Sequence, residues 1–394
     1  MKKNNVVNHS SMKQLNLLTV LNLLRRNGAM SRAELTRALC CDGTTITNIT
    51  RELMEHNLVL SRGPVNSSSP GRPKELLEVN PSAKQVIGIS FAPRFLCGVI
   101  TDLNGKVILH EEIHFETEIS RKKFLALLQS LCSKLLSNVS EKQLLGVGIG
   151  TFGPLLPGKN IVMHTGSFPV VENLDIKDYF SKQFKIAPVI LDSSSAKVMT
   201  ELWHDTREDE KKNFILIDAG IGLGAIIVTK GRLLNSEDEY IGEFGHTVYM
   251  PNGETCKCGL KGCLETLAAI PAIERKIAAK LKLSGISFDT VVAKYQEGVP
   301  SVKAIIESSA EWLGISVANL INLLVPGKII FSGPLLELGD EYFHLVRKKA
   351  EEFTFPVFRE NQIPIQKSKF GTEAAAQGAA IYLLQKYFDG ESQL

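Results

Sequence analysis

The sequence predicts an α/β protein: a two-lobed, internally duplicated body preceded by a small winged helix-turn-helix module. Three observations predict it. Two long stretches repeat the same order, strand–turn–strand followed by helices and further strands, which points to two α/β lobes facing a cleft. The first 74 residues read instead as short capped helices running into a strand. The charge divides at the same place. Residues 1–74 hold eleven Lys and Arg against four acidic side chains, a balance of +7, whereas the whole chain carries only +3, leaving −4 for the remainder.

At 394 residues the chain is too long for one ordinary core, so two or three domains are expected. A hydrophobic content of 44% with 22% charged residues is globular composition. The lysines at positions 2 and 3 are followed by polar residues, not by an apolar segment, which argues against a signal peptide. No apolar run approaches the ~18 residues that a membrane helix needs. These readings place the chain in the cytoplasm, with no membrane partner. There its cysteines are metal ligands or buried thiols before they are disulfides.

In the module, Leu15, Leu17, Leu18, Val20, Leu21 and Leu24 form a helical apolar stripe that stops at Asn27-Gly28. Ser31-Arg-Ala-Glu34 is a capping box opening a short helix that reaches about Leu39. Asp42 caps a third helix with Thr44, Thr45, Thr47, Asn48 and Arg51 on one side and Ile46, Ile49 and Leu53 on the other. Helix, tight turn and helix with a small polar face is the pattern whose second helix enters the DNA major groove. Residues 57–63 read as a strand turning into a wing, and 66–74 (NSSSPGRPK) as an extended, proline-punctuated linker. Arg72 in Gly-Arg-Pro either reads a minor groove or belongs to a plain spacer. The basic balance and the capped helices together predict double-stranded DNA as the module's partner.

In the body, strands are expected at 86–90, 95–101 and 107–115, with Asn104-Gly105 as a hairpin turn, then a helix at 121–136 and a strand at 145–150. The order returns as strands at 214–218 and 225–229, helices at 264–283 and 302–324, a strand at 328–331 and an alanine-rich last helix at 372–387. Gly220-Ile-Gly222-Leu-Gly224 is either an anion-approach turn or a tight β-turn. The expected domains are 1–74, a first lobe of 75–192 completed by 372–394, and a second lobe of 193–371 that also carries oligomerisation.

Residues 241–265 (IGEFGHTVYMPNGETCKCGLKGCLE) are the densest chemistry in the chain, with one histidine, three of the seven cysteines, three carboxylates and five glycines. Cys256-x-Cys258, four intervening residues, Cys263, and His246 ten residues upstream make a tetrahedral zinc set with no position left open, hence a structural Zn²⁺. Thiolates argue against Mg²⁺ and Ca²⁺. Glu254 reads as a solvated charge, and Cys40, Cys41, Cys97 and Cys132 as core or turn residues. Glu243 and Glu265 bracket the cluster.

Here the chain resembles the ROK family of repressors, uncharacterised reading frames and sugar kinases. The resemblance spans nearly the whole chain and is most specific at Gly-Glu-Phe-Gly-His246 and Cys-Lys-Cys-Gly-Leu-Lys-Gly-Cys-Leu-Glu265. It implies an actin-like (sugar-kinase, ribonuclease H-like) fold, a structural zinc on His246, Cys256, Cys258 and Cys263, and a sugar in the cleft. Glu243, His246 and Glu265 match family residues that hydrogen-bond sugar hydroxyls. Members with a winged module and a Gly-Arg-Pro linker are sugar-responsive transcriptional repressors of the xylose-repressor type.

The departures are informative. Family kinases carry Asp-x-Gly-Gly-Thr after the first strand, where its amides cradle ATP phosphates. Ser90-Phe-Ala-Pro-Arg94 stands here, and Phe91 and Arg94 are expected to fill the phosphate space. The kinases' catalytic aspartate falls on Ser193, or on Asp192 with a one-residue slip; a serine cannot act as general base at neutral pH. Asp192 is either a sugar ligand or the cap of the next helix. The expectation is a non-enzymatic repressor of carbohydrate-utilisation genes, responsive to a sugar or sugar phosphate and working as a homodimer or higher homo-oligomer. The alternative is an active sugar kinase with an accessory DNA-binding module.

Overall fold

Helix α1 (His9–Asn27) buries most of the expected stripe, with Leu17, Leu18, Val20, Leu21 and Leu24 in the core but Leu15, nearer the N-terminus, 54% exposed, and stops at Gly28, whose φ is 76°. The computed structural model describes residues 9–65, 74–116, 118–153, 155, 156, 159–162, 168–208, 211–234, 242–360 and 362–391. After β1 (Met30–Ser31), helix α2 (Arg32–Leu39) opens on the capping box, and α3 (Gly43–Glu55) on Asp42, which accepts from the Thr45 amide. Strands β2 (Val59–Val65) and β3 (Lys74–Val79) complete an antiparallel sheet in the order β1-β3-β2. Residue 74 was the expected end of the module. Instead it starts the wing's return strand, because Leu77 and Val79 turn inward and pair with Met30 and Val59.

The first of two units comprises residues 1–151, 175–206 and 375–394. After the module come β4 (Gln85–Ala92), β5 (Phe95–Asp102), β6 (Val107–His114), α4 (Arg121–Leu136), β7 (Leu144–Thr151), α5 (Ile176–Phe184), β8 (Val189–Asp192) and α6 (Ser193–His204). The sheet order is β6-β5-β4-β7-β8, with β4, β5 and β6 antiparallel and β7 and β8 parallel to β4.

The second unit, residues 152–174 and 207–374, holds β9 (Phe214–Ala219), β10 (Leu223–Thr229), β11 (Arg232–Leu233), α7 (Leu264–Ala268), α8 (Ile270–Leu281), α9 (Phe288–Gln296), α10 (Pro300–Leu324), β12 (Ile329–Ser332), α11 (Asp340–Phe353), α12 (Pro356–Arg359) and β13 (Ile365–Lys367). Its order, β11-β10-β9-β12-β13, repeats that of the first sheet strand for strand, so the duplication is present at the level of topology. The helix expected at 264–283 is broken at Ala269. Pro271 has no N–H for the Leu267 carbonyl, and the Lys276 ammonium takes that carbonyl instead, at 3.3 Å.

Unit boundaries also differ from expectation: α6 joins the first unit, although the second lobe was expected to begin at 193, and residues 152–174 join the second. The chain ends in α13 (Ala374–Phe388), which lies on β4 and β7 as closely as its alanines suggested. A Cβ on Gly88 or Gly148 would stand 2.0 Å from the carbonyl oxygen of Ala376 or Ala379. Gly148→Ala should therefore destabilise the first unit by about 1–3 kcal/mol or more, as overpacking does. Thermal unfolding tests this, and an unchanged midpoint would show that α13 can shift freely.

The winged module shares a core with this lobe. Leu18, Leu21 and Leu24 belong to one buried cluster with Leu383, Leu384, Tyr387 and Phe388, and the Arg25 guanidinium lies 3.8 Å over the Trp203 ring.

Candidate functional site

The knuckle at 247–263 is built from tight turns and few apolar contacts. Tyr249 and Met250 donate to the Gly262 carbonyl, Cys256 to Leu260, and Gly259 to Cys256. Gly259 and Gly262 have φ of 93° and 69°, and a Cβ on Gly262 would stand 1.6 Å from the Met250 carbonyl oxygen. Only glycine fits there. These turns bring His246, Cys256, Cys258 and Cys263 together, one ligand atom from each lying within 4.8 Å of the others. Cys256 Sγ is 3.6 Å from His246 Nδ1, and Cys258 Sγ is 3.7 Å from Cys263 Sγ. Metal–ligand lengths of ~2.0–2.3 Å give tetrahedral edges of roughly 3.3–3.8 Å, so the four groups fit a tetrahedral ion. Burial, and then the neighbouring thiols, push the Cys263 thiol up.

His246 faces two ways. Nδ1 points to the thiols, while Nε2 lies 3.6 Å from Glu243 Oε2. An ion on Nδ1 would leave the proton on Nε2, aimed at the Glu243 side. Glu243 precedes a 3₁₀ turn (Phe244–His246) and its side chain is 54% exposed. Glu265, in the first turn of α7, is 11% exposed and sits 3.4 Å from the Lys257 ammonium, a partner that sequence reasoning missed. Its Oε1 accepts from the Leu223 amide at 3.4 Å. A Cβ on Gly245 would come within 2.7 Å of the Glu265 side chain, so that glycine makes room for the carboxylate. Glu254 is not merely solvated, as expected, but paired with Arg275 of α8; a knuckle loop that folds back onto a helix brings the two charges together.

In the first unit Asp192 caps α6, its Oδ1 accepting from the Ser195 amide at 2.9 Å. The residues at 90–94 close a two-residue turn, since Ala92 pairs with Phe95; Pro93 offers no amide and Arg94 has φ of 82°. Phe91 does not fill phosphate space as expected. It is buried against Phe124, ring centroids 5.5 Å apart, because strand alternation turns it into the α4 side of the sheet. In the second unit the Gly220–Gly224 run is a tight hairpin turn joining β9 to β10.

On α3, Thr44, Thr47, Asn48 and Arg51 are exposed and Thr45 partly so. Thr45 is engaged at the cap, its hydroxyl donating to Asp42 Oδ2 at 2.6 Å. Arg51 donates to the Asn48 side chain at 2.9 Å, which orients both outward. Arg72 lies outside the described residues.

Residues 87–386 match the model of the ROK family. The chain belongs to the ROK family. Among ROK relatives it is 26% identical to a xylose repressor of Caldicellulosiruptor bescii, over 94% of this chain and 96% of that protein. It is 25% identical to the DNA-binding transcriptional repressor Mlc of Escherichia coli, over 94% and 93%. A solved ROK family transcriptional regulator, a homologue of E. coli Mlc, superposes with a TM-score of 0.78 at 27% identity, covering 96% of this chain and 97% of that one. A ROK glucokinase from Streptomyces griseus, solved with glucose and AMPPNP, shares the fold with a TM-score of 0.67 at 19% identity, covering 76% of this chain and 99% of its own.

Proposed function

We propose that this ROK protein is a sugar-responsive transcriptional repressor of carbohydrate-utilisation genes, acting in the cytoplasm on double-stranded operator DNA. One observation carries the reading. The named repressors align over 94–98% of this chain, winged module included, whereas the glucokinase is covered almost whole by 76% of it. Helix α3 enters the major groove with Thr44, Thr45, Thr47, Asn48 and Arg51, and Arg72 reads the adjacent minor groove. A structural Zn²⁺ sits on His246, Cys256, Cys258 and Cys263. A sugar or sugar phosphate is held through Glu243, His246 and Glu265 of the second unit.

The working form is a homodimer, since two-fold proteins read two half-sites. An exposed apolar group supports it: Leu323, Phe355 and Val357 are 79%, 55% and 58% exposed where Asn322 ties the end of α10 to Phe353 and Phe355.

Operator binding, titrated with a panel of sugars and their 6-phosphates, tests the function. One of them should release the DNA, and none should be phosphorylated in the presence of ATP. Turnover above background would favour an active kinase with an accessory module, against which the proline-closed turn at 92–95 argues. Arg51→Ala should weaken operator binding by ~1–3 kcal/mol, the range for a base-reading contact, at unchanged thermal stability. Unaltered affinity at fixed salt would remove Arg51 from the interface.

A further inference from the structure

A second cluster of metal-ligating side chains lies in the first unit, on residues to which no binding role has been given above, Cys97 having been read only as a core or turn residue. Strand β6 is the sheet's edge, and strand alternation puts His110, Glu112 and His114 on one face of it. Cys97 of β5 is the direct cross-strand partner of Glu112, with His110 and His114 opposite its neighbours Val99 and Phe95. Four donors of three chemical types therefore share one face of two strands.

Two distances from His110 are close to those of a ligand set. His110 Nε2 is 3.4 Å from Cys97 Sγ and 3.2 Å from Glu112 Oε1, and one ligand atom from each of these three residues lies within 4.8 Å of the others. Bond lengths of ~2.0–2.3 Å to nitrogen, oxygen and sulfur around a tetrahedral ion give edges of roughly 3.3–3.8 Å, close to both contacts. The other oxygen of Glu112 is 3.1 Å from His114 Nε2, the kind of outer contact that orients a ligating carboxylate. A plain surface ion pair would explain His110, Glu112 and His114. It does not explain why a fully buried thiol, Cys97, is the atom beside the imidazole nitrogen.

We propose that Cys97 Sγ, His110 Nε2 and Glu112 Oε1 form a second metal site, for a divalent transition ion of the zinc class. Thiolate and imidazole select such an ion over Mg²⁺ or Ca²⁺. Only three protein atoms bind it, and the His110 side chain is 39% exposed, so the fourth position opens to solvent. That makes the site exchangeable, in contrast to a closed four-ligand knuckle.

The test counts ions on the full chain after saturation with Zn²⁺ and removal of the excess, in wild type and in His110→Ala. His110 is exposed on an edge strand, so this variant keeps its fold, and apo-protein unfolding checks that. The variant should hold one equivalent less than wild type: one against two if the knuckle also binds, none against one if it does not. Glu112→Gln should weaken the same equivalent by ~10-fold or more, and the Co²⁺-loaded chain should show a thiolate charge-transfer contribution, beyond any from the knuckle, that Cys97→Ser removes. Equal metal counts in wild type and His110→Ala would overturn the assignment, whatever the knuckle does.

Discussion

Cys258→Ser is expected to abolish binding of the zinc proposed for the knuckle and to cost the second unit much of its stability. The reason is the local balance of forces. Among residues 251–261 the side chains are nearly all exposed, Cys256 being the buried one, so little apolar burial holds the loop. Its backbone bonds number a handful over tight glycine turns. Zinc-finger peptides gain ~10–16 kcal/mol from their ion, and the proposed zinc would supply a loop this poor in core from the same source. Cys258 is itself exposed, so losing its sulfur removes a ligand and little packing. Even if only a few kcal/mol reach global stability, the unfolding midpoint should fall by on the order of 10 °C. Elemental analysis beside calorimetry checks both halves, and a full complement of zinc in the variant would refute the ligand set.

Glu243→Ala is expected to abolish the response to the sugar while leaving operator binding and zinc content unchanged. The carboxylate is half exposed and lies 3.6 Å from His246 Nε2, so its removal strands no buried charge. What it removes is a pair of acceptors suited to adjacent hydroxyls. Each hydrogen bond to a charged group contributes ~1.5–3 kcal/mol, and two of them amount to a loss of roughly 100-fold or more in effector affinity. The measurement is DNA release against sugar concentration at fixed salt. Release of the variant at the wild-type concentration would remove Glu243 from the effector site.

Much of this was legible in the chain because its determinants are local. The capping box at Ser31, the Asp42 cap and the amphipathic run of α4 each sit within a few residues, and each formed where the sequence placed it. The knuckle was legible for the same reason: three cysteines and two turn glycines lie inside ten residues. What escaped depends on distant partners. Strand β3 was not foreseen, its first residue being read as the end of the linker and the rest as the start of the first lobe, because its place is fixed only by β1 and β2. The membership of α6 in the first unit follows from its packing on α13, whose Gly378 would drive a Cβ within 1.7 Å of the Ala196 carbonyl. The alternation His110-x-Glu112-x-His114 was visible on a predicted strand, but its cysteine partner appears only once the β5–β6 register is known.

The shared core of α1 and α13 has a practical meaning for anyone who would graft this DNA-binding head onto another body. Leu18 lies against Gly390 at the far end of the chain, and Arg25 stacks on Trp203. A fragment cut after β3 would present that leucine face bare and aggregate. A chimera that keeps operator recognition must carry the last helix along with the first, joining residues that stand more than 350 positions apart.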